Sequence, residues 1–345
     1  MEKITLFAQK IFKNNQAFNV SDPFLNQDSR IEHMKLLKDE YNSKGFDIST
    51  QDINNPKESC FQIHTEIPKT KVKSKNAYLI LLESPVVIRR NWDIRRHEEF
   101  KKIFTYNTDL LKLNTKNNKK YIKISWPVHL EIPDFISTKE REKDFILVSG
   151  NKYSLHPKEL FSERKNIIDF FEIKFPNRLD LFGSGWDSNP KSVEYLSLAS
   201  RLKNKAKSFF LRKDIESPSL YRGLLNNKKI TYQNYKFCFI LENMIDLNGY
   251  ITEKIWECLS FGIIPIYLGA SDIESNIPSN CFINLRDFNS DYEKLISWID
   301  RMDHQKKDSY LIYAQEFMRS VSENFTYQNF ISPVVHNTIS ETISN

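Results

Sequence analysis

Apolar and polar positions alternate along the chain in two periods. Ile4 to Phe7 is a short strand-like run. Arg30 to Lys44 carries Ile31, Met34, Leu36, Leu37 and Tyr41 as its apolar positions, and Gly45 follows as a helix cap. A second short strand is predicted from Phe46 to Ile48. Tyr78 to Leu82 is continuously apolar and stops at Glu83-Ser84-Pro85. Such a run reads as a buried parallel strand feeding a loop. Phe104 to Tyr106 and Tyr121 to Ile124 are further candidate strands.

Glu131 to Asp144 contains proline and is densely charged (STKEREKD at 137–144), so it reads as a linker between domains. Beyond it the alternation sharpens. Phe145 to Val148 is a strand, and Pro157 suits the first turn of a helix running to about Phe171. Leu179 to Phe182 is a strand ending in Gly183-Ser184-Gly185, and Tyr235 to Leu241 one ending in Glu242-Asn243. Thr252 to Phe261 is a helix closed by Gly262, and Ile263 to Leu268 a strand ending in Gly269. Cys281 to Leu285 is another strand. Ser290 with Glu293 has the capping-box spacing before a helix carrying Leu295, Ile296 and Ile299. Strands alternating with helices predict an α/β protein with parallel sheets. Ligands in such sheets bind beyond the carboxyl ends of the strands, where Glu83, Gly183 to Gly185, Glu242-Asn243 and Gly269 fall.

Length and composition narrow this picture. A chain of 345 residues is long enough for two cored domains, and 40% hydrophobic content excludes a disordered chain. Only 8 residues are glycine, and all but Gly45 lie from Gly150 onward, which points to the second half for close backbone approach to a ligand. A net charge of +6 from mixed signs suits an acidic small substrate without demanding nucleic acid. Cys60, Cys238, Cys258 and Cys281 show no metal-ligand spacing, so reduced, mostly buried thiols are expected. The longest apolar run, near Phe261 to Ala270, is far below the roughly 18 residues of a membrane span. Charges and amides occupy the place of a signal-peptide apolar core, so a soluble, cytoplasmic protein is expected.

The densest chemistry lies in Glu242 to Gly269. Lys254 falls in the first turn of its predicted helix, where a cation opposes the helix dipole unless an anion sits there. Free N–H groups, dipole and ammonium would then converge on a phosphate. Glu253 can accept from the two hydroxyls of a ribose, Gly249 lets backbone approach, and Tyr250 offers a phenolic donor. An ordinary surface Glu–Lys pair has the same spacing, so spacing alone leaves both readings open.

The run Glu242-Asn243, Gly249-Tyr250-Ile251-Thr252-Glu253-Lys254-Ile255 and Gly262-Ile263-Ile264-Pro265-Ile266-Tyr267-Leu268-Gly269 closely resembles the signature of glycosyltransferase family 10, the α-1,3/1,4-fucosyltransferases. Cys281 to Asn284 and Asp287-Phe288 continue the match. Upstream, Glu83-Ser84-Pro85, Phe104 to Tyr106, Val148-Ser149 with Arg164, and Phe182-Gly183 resemble further family elements in the same order. The resemblance covers roughly residues 78 to 290. Ser149-Gly150-Asn151 carries an insertion, the spacing to Arg164 is longer than usual, and Met244 to Asn248 differs, which bears on the sugar pocket.

The resemblance implies a GT-B architecture of two facing Rossmann-like domains with parallel sheets. We place an acceptor-side domain at 1–140, a GDP-sugar domain at 141–325 and a tail at 326–345. It implies inverting transfer of L-fucose from GDP-fucose, as co-substrate, to a glycan hydroxyl. An α-1,3 linkage on a surface polysaccharide or lipid-linked glycan is the expected product. No tightly bound cofactor and no metal are expected, in keeping with the lack of any Asp-x-Asp in the sequence. By the resemblance Glu83 is the general base and Arg164 contacts the diphosphate. Lys254 and Tyr250 hold phosphate, Glu253 the ribose and Asn243 the donor sugar, while Gly183, Gly185 and Gly249 make room. Transfer of another GDP-linked sugar, or a non-catalytic nucleotide- or glycan-binding protein of the same fold, remain alternatives. Two basic stretches, Lys69 to Lys75 and Arg201 to Lys213, read as solvated faces or as contacts to an anionic glycolipid or membrane surface.

Overall fold

The computed structural model describes residues 1–26, 29–193, 217–321 and 325–343. The basic stretch from Arg201 to Lys213 lies outside the described residues. Two compact units divide the chain: Met1–Leu130 with Asn248–Glu253 and Glu323–Asn345, and Glu131–Leu247 with Lys254–Ser322.

The first unit is built on six parallel strands: β1 (Glu2–Phe7), β2 (Phe46–Thr50), β3 (Phe61–His64), β4 (Ala77–Leu81), β5 (Lys102–Thr105) and β6 (Tyr121–Lys123). Their order is β2-β1-β3-β4-β5-β6. Every residue of β4 is buried, because side chains alternate between two covered faces. Tyr78 and Ile80 join one apolar cluster, and Ala77, Leu79 and Leu81 another. Helix α1 (Glu32–Ser43) buries Met34, Leu37 and Tyr41, while Leu36 turns outward and is 40% exposed.

The terminal segment is not a tail. Its helix, Phe325–Ile343, buries Phe330, Val334 and Val335 in the cluster around Ile4 and Tyr41. Burial of each such side chain is worth roughly 1.5–3 kcal/mol. Tyr41 Oη and Thr338 Oγ1 are 2.7 Å apart, and Glu341 pairs with Lys101 and Lys102 at 2.9 and 2.8 Å.

Among the described residues the main sheet of the second unit has five parallel strands: β7 (Lys143–Val148), β8 (Leu179–Phe182), β9 (Tyr235–Leu241), β10 (Ile264–Leu268) and β11 (Ile283–Asn284). Their order is β11-β10-β9-β7-β8. The chain thus leaves β7 toward β8 on one side and later returns to β9 on the other. The β7–β9 boundary is the switch point where α/β sheets open a crevice. The longer described helices of the unit are α2 (Phe161–Lys174), α3 (Glu253–Ser260), α4 (Tyr292–Arg301) and α5 (His304–Ser320), with Glu253 itself counted in the first unit.

Several expectations shift. The charged segment after 130 is laid onto the second unit instead of linking freely. Arg141 is 4% exposed and donates to the carbonyls of Tyr235, Ile136 and Gly262. Asp308 accepts from Ser137 and Thr138. The unit boundary therefore falls at 130 and not 140. Helix α2 begins at Phe161, four residues after Pro157, because Glu159 Oε2 accepts from the N–H groups of Phe161 and Ser162 at 2.6 and 3.1 Å. Asp291 caps α4 by accepting from Lys294 N, while Ser290 donates instead to Glu163. Cys281 lies in a 3-10 turn and only two residues of its expected strand pair. All four cysteines are free, with Cys60 half-buried and the others buried. Among the described residues no helix is long and apolar enough to cross a membrane.

Candidate active site

In the second unit Arg164 occupies the switch point. It stands in the first turn of α2 and is 6% exposed, which excludes a merely solvated cation. Its guanidinium donates to Leu241 O at 2.7 Å and Glu242 O at 2.9 Å, beyond β9. It also reaches Ser149 Oγ, beyond β7, and Asn243 Oδ1, both at 3.2 Å. The guanidinium lies over the Phe161 ring at 4.8 Å. A planar fork with several donors can bridge two strand ends in this way, and a lysine cannot.

Asn243 is held from its backbone as well, since its carbonyl accepts from Leu160 N at 3.2 Å. Lys254, second residue of α3, places its ammonium 3.1 Å from Glu242 Oε2. That carboxylate is fully buried, while the Lys254 side chain is 26% exposed. Burial and the Glu242 charge raise the Tyr267 phenol well above its usual range, so it stays protonated. Its oxygen accepts from Ala270 N at 3.0 Å.

Gly183 ends β8 at φ +133, and a Cβ there would stand 2.0 Å from Ser149 O. Only glycine allows the ends of β7 and β8 to come this close. The divergent segment after Asn243 is pinned. Ile245 N donates to Lys158 O at 2.9 Å and Asp246 N to Gly269 O at 3.1 Å. Arg286 donates to Asp246 Oδ1 at 2.7 Å and to Gly269 O at 2.6 Å.

In the first unit Glu83 stands two residues beyond β4, half-buried. Trp92 Nε1 donates to its carbonyl at 2.9 Å, and the carbonyl of buried Ser84 accepts from Val87 N and Ile88 N. Glu66, beyond β3, accepts from Gln9 and Arg90. Polar side chains thus gather at the carboxyl ends of β1, β3 and β4.

Gly249 and Tyr250 also pack in the first unit. Gly249 adopts φ +77, and a Cβ would stand 2.3 Å from Tyr106 O. The Tyr250 ring, 1% exposed, lies 5.4 Å from Tyr106 and 5.7 Å from Trp126. It is enclosed by aromatic rings and does not stand on an open surface. Asn107 donates to Asn248 O at 3.0 Å, and Asn248 to Asp109 at 2.8 Å. Glu253 is half-buried at the end of this segment.

The structure therefore brings Arg164, Asn243, Lys254 and Gly183 together at the carboxyl ends of the second sheet. Glu83, Gly249, Tyr250 and Glu253 belong to the first unit. Sequence reasoning gave Glu242 no role beyond its place at a strand end, and it missed Arg286, Glu66 and Arg90. Glu242 lay inside the signature and was findable. The Glu66–Arg90 pair is 24 residues apart and has no local signal. Among the described residues no group of three or more His, Cys, Asp or Glu is arranged to hold a metal ion.

Two Rossmann-like units with parallel sheets make up the GT-B fold. A solved α1,3-fucosyltransferase with GDP shares the fold at a TM-score of 0.55 and 16% identity, over 100% of this chain and 90% of that one. A solved α1,3-fucosyltransferase with GDP-fucose gives 0.53 at 15% identity, over the same shares. Residues 220–331 match the model of Glycosyltransferase family 10 (fucosyltransferase) C-term. GDP-fucose protein O-fucosyltransferase 3 of Homo sapiens is 39% identical over 117 residues, 34% of this chain and 21% of that protein. Alpha-(1,3)-fucosyltransferase B of Drosophila melanogaster is 31% identical over 149 residues, 41% of this chain and 31% of that protein. The first of these matches spans about a fifth of its relative's length.

Proposed function

We propose that the protein is an inverting fucosyltransferase that moves L-fucose from GDP-fucose to a hydroxyl of a glycan or protein acceptor. The observation that carries this reading is the Arg164–Asn243–Glu242–Lys254 cluster at the switch point of the second sheet, whose members other than Arg164 lie inside the family signature. The acceptor oxygen bonds to the anomeric carbon as the bond from that carbon to the β-phosphate oxygen breaks. The hydroxyl proton passes to the Glu83 carboxylate. GDP departs with its growing negative charge held by Arg164 and Lys254, together with the N–H groups at the start of α3. Glu253 would bind the ribose and Asn243 the sugar, while the buried Tyr250 ring supports the segment that precedes Glu253.

A thermal-shift panel of GDP-fucose, GDP-mannose, GDP and UDP-sugars tests the donor. A ligand at a hundred times its Kd adds about 2.7 kcal/mol of stability. Stabilisation by GDP and GDP-fucose is expected; stabilisation by UDP-sugars alone would refute the assignment. Preference for GDP-mannose would favour the rival donor, whose specificity would lie in the divergent segment Met244 to Asn248.

The reading extends to a basic cleft of about 660 Å³ lined by Lys71, Lys73, Lys75, Arg95 and Lys101 with Glu98 and Glu99. It precedes β4 and β5, at the opposite end of those strands from Glu83. Contact with an anionic membrane there would leave the carboxyl ends open to acceptor. Salt-sensitive co-sedimentation with anionic vesicles is expected, and none with neutral ones; no binding at low salt removes this part of the proposal.

A further inference from the structure

Glu242 is fully buried at the end of the second sheet's central strand, β9. A carboxylate out of water persists when it is paired and hydrogen-bonded. One partner is the Lys254 ammonium, 3.1 Å from Oε2. Its backbone carbonyl is at the same time held by Arg164 at 2.9 Å. The two cations of the cluster are thus both fastened to one residue, one through its side chain and one through its main chain.

The space for this carboxylate is built in. At Gly269 a Cβ would stand 2.6 Å from Glu242 Cγ and 2.4 Å from Tyr267 Oη. Any larger residue would push the carboxylate or the phenol aside. Gly269 O is fixed in turn by Arg286 at 2.6 Å. Glycine at this position therefore serves the side chain of Glu242, in addition to ending β10.

We propose that Glu242 is a positioning residue, which acts through Lys254 and holds its ammonium in place before the donor diphosphate arrives. The inference rests on the donor reading above. Lysine carries its charge on a flexible four-carbon stem, and ordering that stem on binding weakens affinity. A buried carboxylate that orders it beforehand removes that loss. Simple electrostatics predicts the opposite sign, since deleting a negative charge beside an anion site should tighten the anion. The two accounts differ in direction.

The test is a double-mutant cycle on GDP affinity by calorimetry, with wild type, Glu242→Gln, Lys254→Ala and the double variant. Glu242→Gln is expected to weaken GDP about tenfold, and the double variant to bind no more weakly than Lys254→Ala alone. Unchanged or tighter GDP binding in Glu242→Gln overturns the inference. So do losses that multiply in the double variant, because a merely structural role adds independently of Lys254. If the Gln variant does not fold, Glu242→Asp keeps the charge one methylene shorter. Weaker GDP binding at an unchanged melting temperature then supports the role, and wild-type affinity refutes it. Failure of the wild type to bind GDP at all would instead refute the donor reading.

Discussion

Arg164 and Glu242 are joined through the main chain: the guanidinium donates to the Glu242 carbonyl at 2.9 Å, and the same nitrogen to the preceding carbonyl of Leu241 at 2.7 Å. One cation thereby satisfies the last carbonyls of β9 and faces the switch point of its sheet. Arg164→Ala leaves those buried carbonyls without a charged donor. We expect a stability loss of about 2–4 kcal/mol in urea denaturation, with loss of GDP binding. Full retention of both would show that the residue is a bystander.

Glu83 stands in a loop held by Trp92, which donates to its carbonyl, and by the Ser84 turn. Glu83→Gln is expected to bind GDP as wild type does and to lose transfer by a factor of about 10² or more. A variant that still transfers at the wild-type rate refutes the base assignment.

Gly249 meets two constraints at once, a left-handed backbone and a gap of 2.3 Å from a Cβ to Tyr106 O. The obstructing atom is backbone and has no rotamer to escape into. Gly249→Ala is expected to destabilise by more than about 1 kcal/mol and to loosen the Tyr250 cluster. Tryptophan fluorescence from Trp126 and the melting temperature report both effects.

Asp180 on β8 is 8% exposed and accepts from Tyr235 at 2.6 Å, Lys143 at 2.6 Å and Arg222 at 2.7 Å. Burial alone would raise its carboxyl, but the hydrogen bonds from Lys143 and Tyr235 and the Lys143 charge bring it below the usual range. A depressed folded-state value means that its stabilisation is complete above the unfolded value of about 3.9 and is lost as pH falls through the folded value. Urea midpoints should therefore fall as pH drops below about 4, and Asp180→Asn should flatten that dependence. An identical acid profile in the variant would contradict the assignment.

The strands that proved readable are those whose pattern is local. Leu179–Phe182 and Tyr235–Leu241 were placed to the residue, because a short apolar run ending in glycine or polar residues has few other meanings. Strand β3 was missed: Phe61–His64 mixes Gln62 and His64 into a short run, and it is a strand because β1 and β4 flank it. The terminal helix reads as a tail in the sequence for a similar reason. Its apolar face has meaning only against the cluster around Tyr41, some 290 residues earlier in the chain.

The sequence alone determined the resemblance to the family, the parallel α/β class and the clustering of signature residues at strand ends. These rest on residue types and spacings within single elements. Only the tertiary structure decided which of those residues share an environment. It buried Glu242 and set Lys254 on it, and folded Arg164 back across two strand ends. It also packed Gly249 and Tyr250 into the first unit, although Lys254, four residues after Tyr250, belongs to the second. The physical reason is that burial and pairing depend on strand order and register, which join residues far apart in the chain and leave no local pattern to read.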